Sequence, residues 1–383
     1  MAELRLSLYK SIVKSPATAA ATPIAIEVMV NTPPPPWPTT ILIVRNSVVS
    51  KMLALGCKKL SFLFLSLLSL NIYQITKANE VTELRMSGAE PVMNDSYLCT
   101  AMPLDSNTEH YIVGYKPFAT MQKAHHMLLF GCSGPGSDQV IWDCGDMTVA
   151  GPHFERAPIC NDQPSILYAW GRNAPELHLP EGVGFKVGGQ TNIQYLVLQV
   201  HYKGQLGPDY SGLSIESTVE PLTKRASTLL MVTGGKLPPN KRETFETACI
   251  VDEDIEIHPF AFRTHTHRHG EMVSGWVVRE NEFGQNVWEL IGERSPLLPQ
   301  MFQSVNKNIT IRQGDVVAAR CVLNNKEDKE FTMGNTSDDE MCNYYLMYWV
   351  LGDRILRDNT CYSPGPPEYH WTSEAELNNI PKV

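Results

Sequence analysis

From Val81 onward the chain alternates short apolar runs with clusters of Gly, Pro, Asn and Asp. "HYIVGYKPF", "AHHMLLFGC", "SILYAWG", "VGFKVG", "NIQYLVLQVHYK", "SGLSIEST", "MVSGWVVRE", "NVWELIG", "KNITIRQGDVVAARCVL" and "CNYYLMYWVLG" are rich in β-branched and aromatic residues. Turn residues bound each of them, which marks strands. A 3.6-residue period is scarce, and "SEAELNNI" near the end is the best short helix candidate. Short strands at regular spacing predict an all-β chain of antiparallel β-sandwiches, jelly-roll-like in layout. "VEPLTKRAS", residues 219–227, interrupts the pattern midway and separates two groups of four cysteines. The expected organisation is therefore one sandwich domain over 81–220, a second over 225–371 and a tail over 372–383. Length agrees: a chain of 383 residues is expected to hold about two domains of about 150 residues.

The first 80 or so residues follow a different pattern. Residues 15–40 are rich in Ala, Thr and Pro and end in "TPPPPWPTT", which continues neither a helix nor a central strand. Lys58 and Lys59 then precede an apolar run from Leu60 to Leu70, with Thr76-Lys77-Ala78 as a cleavage site. A run of about 11 residues is too short for a comfortable membrane span. Residues 52–78 therefore read as a secretory signal peptide, with a signal anchor as the alternative, and the mature chain carries no span. Residues 1–51 read as a low-complexity leader, and a start at Met52 stays open.

Charge and cysteine content narrow the setting. A net charge of −9 argues against a nucleic-acid or anionic-membrane surface. Of nine cysteines, Cys57 lies in the leader, which leaves an even eight: Cys99, Cys132, Cys144, Cys160, Cys249, Cys321, Cys342 and Cys361. An even set in a secreted chain predicts a disulfide framework whose connectivity the residues alone leave open. No CxxC pair is present, which disfavours a zinc knuckle. Sequons at Asn94, Asn308 and Asn335 fit passage through the secretory pathway.

The histidines carry the chemistry. His125 and His126 are adjacent in "KAHHMLLFGC", and His201 follows Gln199 by two in "LQVHYKG". "FRTHTHRHG" sets Arg263, His265, His267 and His269 at alternate positions, which on a strand share one face. A lone strand histidine is ordinarily a hydrogen-bonded core residue; two clusters and a third site point to metal. Adjacent His125 and His126 need a bulge or a twisted strand end to face one way. Imidazole suits zinc and copper alike, and no His-Glu-x-x-His occurs. In "DDEMCNYYLMYWV", Met341, Asn343 and Tyr345 alternate on the face opposite Cys342. A thioether beside two imidazoles is a soft set that favours Cu(I) over zinc.

With "HHMLLFGC", "ILYAWGRNAPE", "LPEGVGFKVGG", "LVLQVHY", "FRTHTH", "GDVVAARC" and "DEMCNYYLMY" in this order, Val81 to Trp371 resembles the peptidylglycine α-hydroxylating monooxygenases, copper- and ascorbate-dependent enzymes of neuropeptide and peptide hormone amidation. The resemblance implies one copper on each side of a cleft shared by the two domains. His125, His126 and His201 would hold a copper that stores and delivers an electron. His265, His267 and Met341 would hold the catalytic copper, where oxygen binds and hydrogen is abstracted. His269 stands where the family usually has an apolar residue and falls outside the set. Arg263, Asn343 and Tyr345 would orient the substrate's free C-terminal carboxylate, and a guanidinium fork fits a carboxylate bidentately. Gln199 and Tyr97 match polar residues near the sites. The implied disulfides are Cys99–Cys144, Cys132–Cys160, Cys249–Cys361 and Cys321–Cys342. A fifth bridge of vertebrate members is expected to be absent, because Tyr210 stands at one partner's place. "MTVAGPHFERAPIC" looks like an insertion, with His153 on an exposed loop.

The expected activity is hydroxylation of the C-terminal glycine Cα of glycine-extended peptides, with O2 and ascorbate, in a secreted or granule-lumenal enzyme. A separate lyase would cleave the product, since the chain ends at Val383. Two readings compete: a tyramine or dopamine β-hydroxylase-like monooxygenase, and a non-catalytic secreted copper-binding protein. Neither has a use for Arg263, Asn343 and Tyr345 together.

Overall fold

The computed structural model describes residues 79–145, 153–336 and 338–382. The leader and signal-peptide readings lie outside these residues, as does 147–152 of the expected insertion; His153 is exposed. The first half contributes β1 (Glu80–Arg85), β2 (Ser96–Pro103), β3 (Glu109–Phe118), β4 (His126–Cys132), β5 (Trp142–Asp143) and β6 (Ser165–Gly171). It continues through β7 (Leu177–His178), β8 (Val183–Gly188), β9 (Tyr195–Tyr202) and β10 (Gly212–Thr218). The second half holds β11 (Lys224–Thr233), β12 (Lys236–Leu237), β13 (Arg242–Ile250), β14 (His258–His265), β15 (Gly270–Glu280) and β16 (Asn286–Arg294). Finally come β17 (Gln303–Ser304), β18 (Val316–Asn324), β19 (Phe331–Thr332), β20 (Asn343–Leu351) and β21 (Thr360–Ser363). The fold is all-β, with no helix among the described residues.

Three sheets each lie within one half, the smallest being the β12-β19 pair of the second. β5-β2-β9-β4-β6 lies in the first half and β13-β18-β15-β16 in the second. Along β9, "YLVLQVHY" is buried at seven consecutive positions, because a central strand covered on both faces has no solvent side to mark with polar residues. A ten-stranded sheet, whose main path runs β1-β10-β3-β8-β11-β20-β14-β17, crosses the midpoint of the chain. There β11 pairs in parallel with β8 at Lys224↔Val183 and Arg225↔Gly184, and antiparallel with β20. β11 thus begins inside the stretch 219–227 that the sequence marks as a break, and only 219–223 act as connection. Four disulfides join Cys99–Cys144, Cys132–Cys160, Cys249–Cys361 and Cys321–Cys342.

A glycine pair sets the strands that matter most for the site. Gly275 and Gly292 face each other across β15 and β16. A Cβ on Gly275 would lie 2.2 Å from the Tyr344 ring, and one on Gly292 2.1 Å from the Phe262 ring. Their absence admits the stacked Phe262–Tyr344 pair, ring centroids 5.7 Å apart. Those rings brace β14 against β20 where Arg263 pairs with Tyr345 and His265 with Asn343. The expected helix "SEAELNNI" does not form. Glu376 and Asn379 take φ of 52° and 50°, in the left-handed region that a right-handed helix excludes. Tertiary docking explains it: Asn378 accepts from Trp288 Nε1 through its carbonyl and donates to Gly284 O through Nδ2.

Candidate metal centre

His126 opens β4 and pairs directly with His201 on β9. His125 sits one residue ahead of the strand and donates its N–H to the His201 carbonyl at 2.8 Å. Because the strand begins between them, the adjacent rings can converge. His201 Nδ1 lies 3.1 Å from His126 Nε2 and 3.2 Å from His125 Nδ1. His201 Nε2 donates to Asp95 Oδ1 at 3.0 Å, which leaves Nδ1 as a lone pair facing the other two rings. Asp95 holds φ of 57°, an uncommon conformation outside glycine. Tyr97 stacks on His201 with centroids 4.1 Å apart and planes within 7°. Burial lowers the pKa of all three histidines; at His201 it outweighs the opposing Asp95 carboxylate. Neutral rings packed nitrogen to nitrogen suit a cation between them.

The second set forms where β14 ends and before β20 begins. His265 is the last residue of β14, and His267 lies in the bend beyond it, so the strand carries Arg263 and His265 but not His267 or His269. His265 Nδ1 donates to Gln300 Oε1 at 2.6 Å, and Nε2 faces Met341 Sδ at 3.2 Å. His267 Nδ1 donates to Asp339 O at 2.8 Å, and its buried Nε2 has no partner. Two imidazole lone pairs and a thioether are thus free to share a soft cation, and the orphaned Nε2 is the atom such an ion would satisfy. Burial first, and then the Arg263 charge, pushes the His265 pKa well below its ordinary range. His269 turns elsewhere, to Glu340 and Glu327. The two sets face each other: His126 and His265 have centroids 5.7 Å apart, His125 and His267 6.0 Å.

A cavity of about 240 Å³ opens on both sets, lined by His126, His265, Met341, Arg263, Asn343 and Tyr345 and also by Tyr97 and Gln199. Leu128, Phe130, Ile159 and Ile166 form an apolar side. Arg263 is only 2% exposed, and its Nε donates to Gln300 O at 2.9 Å. Its guanidinium lies 5.0 Å over the Tyr345 ring. Asn343 Nδ2 meets Tyr345 Oη at 3.3 Å, while Asn343 Oδ1 is buried without a partner. Tyr97 donates its hydroxyl to Asn335 O in the other half. Asp95 and Gln300 are absent from the sequence reading. They meet His201 and His265 from 106 and 35 residues away, and nothing local announces either contact.

Fold and site together define an all-β protein whose nitrogen and sulfur donors suit copper. The profile of the copper type II ascorbate-dependent monooxygenase N-terminal domain matches residues 82–207, and that of the C-terminal domain matches 224–374. The chain belongs to this family. Peptidyl-glycine alpha-amidating monooxygenase B of Xenopus laevis is 39% identical over 307 residues, covering 78% of this chain and 33% of that protein. The Rattus norvegicus peptidylglycine alpha-amidating monooxygenase is 39% identical over 311 residues, 77% of this chain and 29% of the relative. Dopamine beta-hydroxylase of Homo sapiens is more distant, 26% identical over 293 residues, 68% and 44%. The chain spans about a third of the length of the amidating relatives it matches. Among solved structures, PNGF-II aligns at a TM-score of 0.32 and 9% identity over 76% of this chain and 68% of that one, too slight a likeness to carry an argument. No helix among the described residues is long and apolar enough to cross a membrane.

Proposed function

We propose that the chain hydroxylates the Cα of the C-terminal glycine of glycine-extended peptides, with two coppers, ascorbate and O2. The observation that carries this reading is Arg263. A buried guanidinium is costly without a compensating anion, and no acidic side chain of the described residues lies within hydrogen-bond or ion-pair reach of it. A peptide's terminal carboxylate is the missing partner, and the fork geometry of arginine matches it. Tyr345 adds a hydroxyl beside that anion. The Asn343 amide, turned so that its oxygen accepts from Tyr345, offers its N–H2 to the same carboxylate and removes the orphaned oxygen.

His125, His126 and His201 would hold one copper, and His265, His267 and Met341 the other. When bound, copper supplies one-electron transfer and a place for O2. Arg263 lies two residues before His265 on the same face of β14, so an anion held there sets the glycine Cα beside the methionine-containing set. Leu128, Phe130, Ile159 and Ile166 would take the peptide's preceding side chain and exclude water. One atom of O2 enters the Cα–H bond, and the other leaves as water with two electrons and two protons from ascorbate. The product, a peptidyl-α-hydroxyglycine, then needs a separate lyase activity to give the amide and glyoxylate. Four disulfides support assignment to the secretory pathway or its granules.

The test is incubation of the protein with copper, ascorbate and a peptide ending in glycine, followed by mass spectrometry. A gain of one oxygen is expected. Turnover of tyramine but of no glycine-extended peptide would make the chain an amine β-hydroxylase. Two bound coppers with neither turnover would make it a carrier.

A further inference from the structure

The last ladder pair between β14 and β20 is His265↔Asn343. Beyond it, 266–269 and 338–341 share no strand pairing, although His267 and Met341 sit on those two segments. One side chain takes the ladder's place. Glu340 is fully buried. Its Oε1 accepts the His267 N–H at 2.5 Å and the Met341 N–H at 2.9 Å. Its Oε2 accepts the His269 N–H at 2.9 Å and meets His269 Nδ1 at 2.9 Å. The Glu340 backbone is fixed in turn, donating to Thr332 O at 2.9 Å and accepting from Gly334 N at 2.9 Å.

We propose that Glu340 is a positioning residue that sets the spacing between the His267 imidazole and the Met341 thioether. The inference rests on the reading of His267 and Met341 as copper ligands. Three backbone N–H groups from two segments converge on one carboxylate, so a shift of either segment breaks a charge-assisted bond. Glutamine cannot replace it. A carboxylate only accepts, at both oxygens, whereas an amide has one acceptor and an N–H2 that must face a donor. Glu340→Gln therefore turns a donor toward one of these N–H groups and loosens the tie between the two segments.

X-ray absorption of the Cu(I) protein separates the outcomes, because sulfur and nitrogen scatterers differ. Wild type should show a copper–sulfur contribution. Glu340→Gln should lose most of it and keep the imidazole contribution, with kcat down about 10–100-fold, the range for outer partners of metal ligands. KM for the peptide should stay within about twofold, since Arg263 is untouched. His269→Leu leaves the three backbone N–H bonds in place and should retain the copper–sulfur signal. Retention of sulfur and kcat in Glu340→Gln would overturn the proposal. So would loss of all copper together with the folding transition, which would make Glu340 a folding element, and so would equal damage from His269→Leu. No sulfur contribution in wild type would instead remove the Met341 assignment, and this proposal with it.

Discussion

The all-imidazole set and the methionine-containing set approach within 5.7 Å ring to ring, yet they are built differently. The first rests on neighbouring central strands: His126 and His201 are direct ladder partners, and the three donor atoms lie within 4.8 Å of one another. Ladder hydrogen bonds and the Tyr97 ring leave these imidazoles little freedom. The second gathers its donors where strands end, from His265 at the close of β14, His267 in a bend and Met341 ahead of β20. One of its nitrogens has no partner, and the buried Arg263 stands beside it on the cavity wall. A set closed on itself suits an electron store. Under the proposed function, the second set, with Arg263 beside it, would be the site where substrate is attacked.

The largest effect should come from removing a donor of the second set. Met341→Ile should lower kcat more than about 100-fold, beyond the range for outer partners of ligands, and copper content should drop from two per chain toward one. His201→Ala should instead empty the first set and spare the copper–sulfur signal. Loss of both coppers in either variant would show that the two sets are not independent. Next comes Arg263→Gln. A charge-assisted hydrogen bond contributes about 1.5–3 kcal/mol, so kcat/KM should fall on the order of tenfold to a hundredfold with copper content unchanged. A peptide whose terminal glycine is already amidated should be discriminated against by wild type; equal turnover would assign Arg263 another job. Asp95→Asn tests the first set alone. Copper affinity there should weaken about tenfold, the low end for an outer partner, as read by competition with a Cu(I) chelator. At the bottom of the scale, His153→Ala should leave copper content as it was, since that imidazole is exposed and belongs to neither set.

The strands were legible where their pattern is dense. "SILYAWG" and "VGFKVG" coincide with β6 and β8 to the residue. β11 and β13 were not, because "KRASTLLMVT" opens on charge and "RETFETACI" mixes polar with apolar positions. Donor histidines and Arg263 carry local spacing that announces them. Asp95, Gln300 and Glu340 carry none, since their role exists only once distant segments meet. The same-face reading of "FRTHTHRHG" held for Arg263 and His265, on one strand, and ended with that strand.

The core that joins the halves has a consequence for synthesis. Ala226, Ala261, Phe302, Tyr345 and Met347 of the second half belong to the same apolar cluster as Leu84, Phe185 and Leu198 of the first. When the ribosome has finished β10, the cluster still lacks these members, the last of which emerges more than about a hundred residues later. At roughly 5–20 residues per second that delay is on the order of ten seconds. During it the nascent first half carries an open apolar face, and folding assistants would have to shield it until β20 arrives.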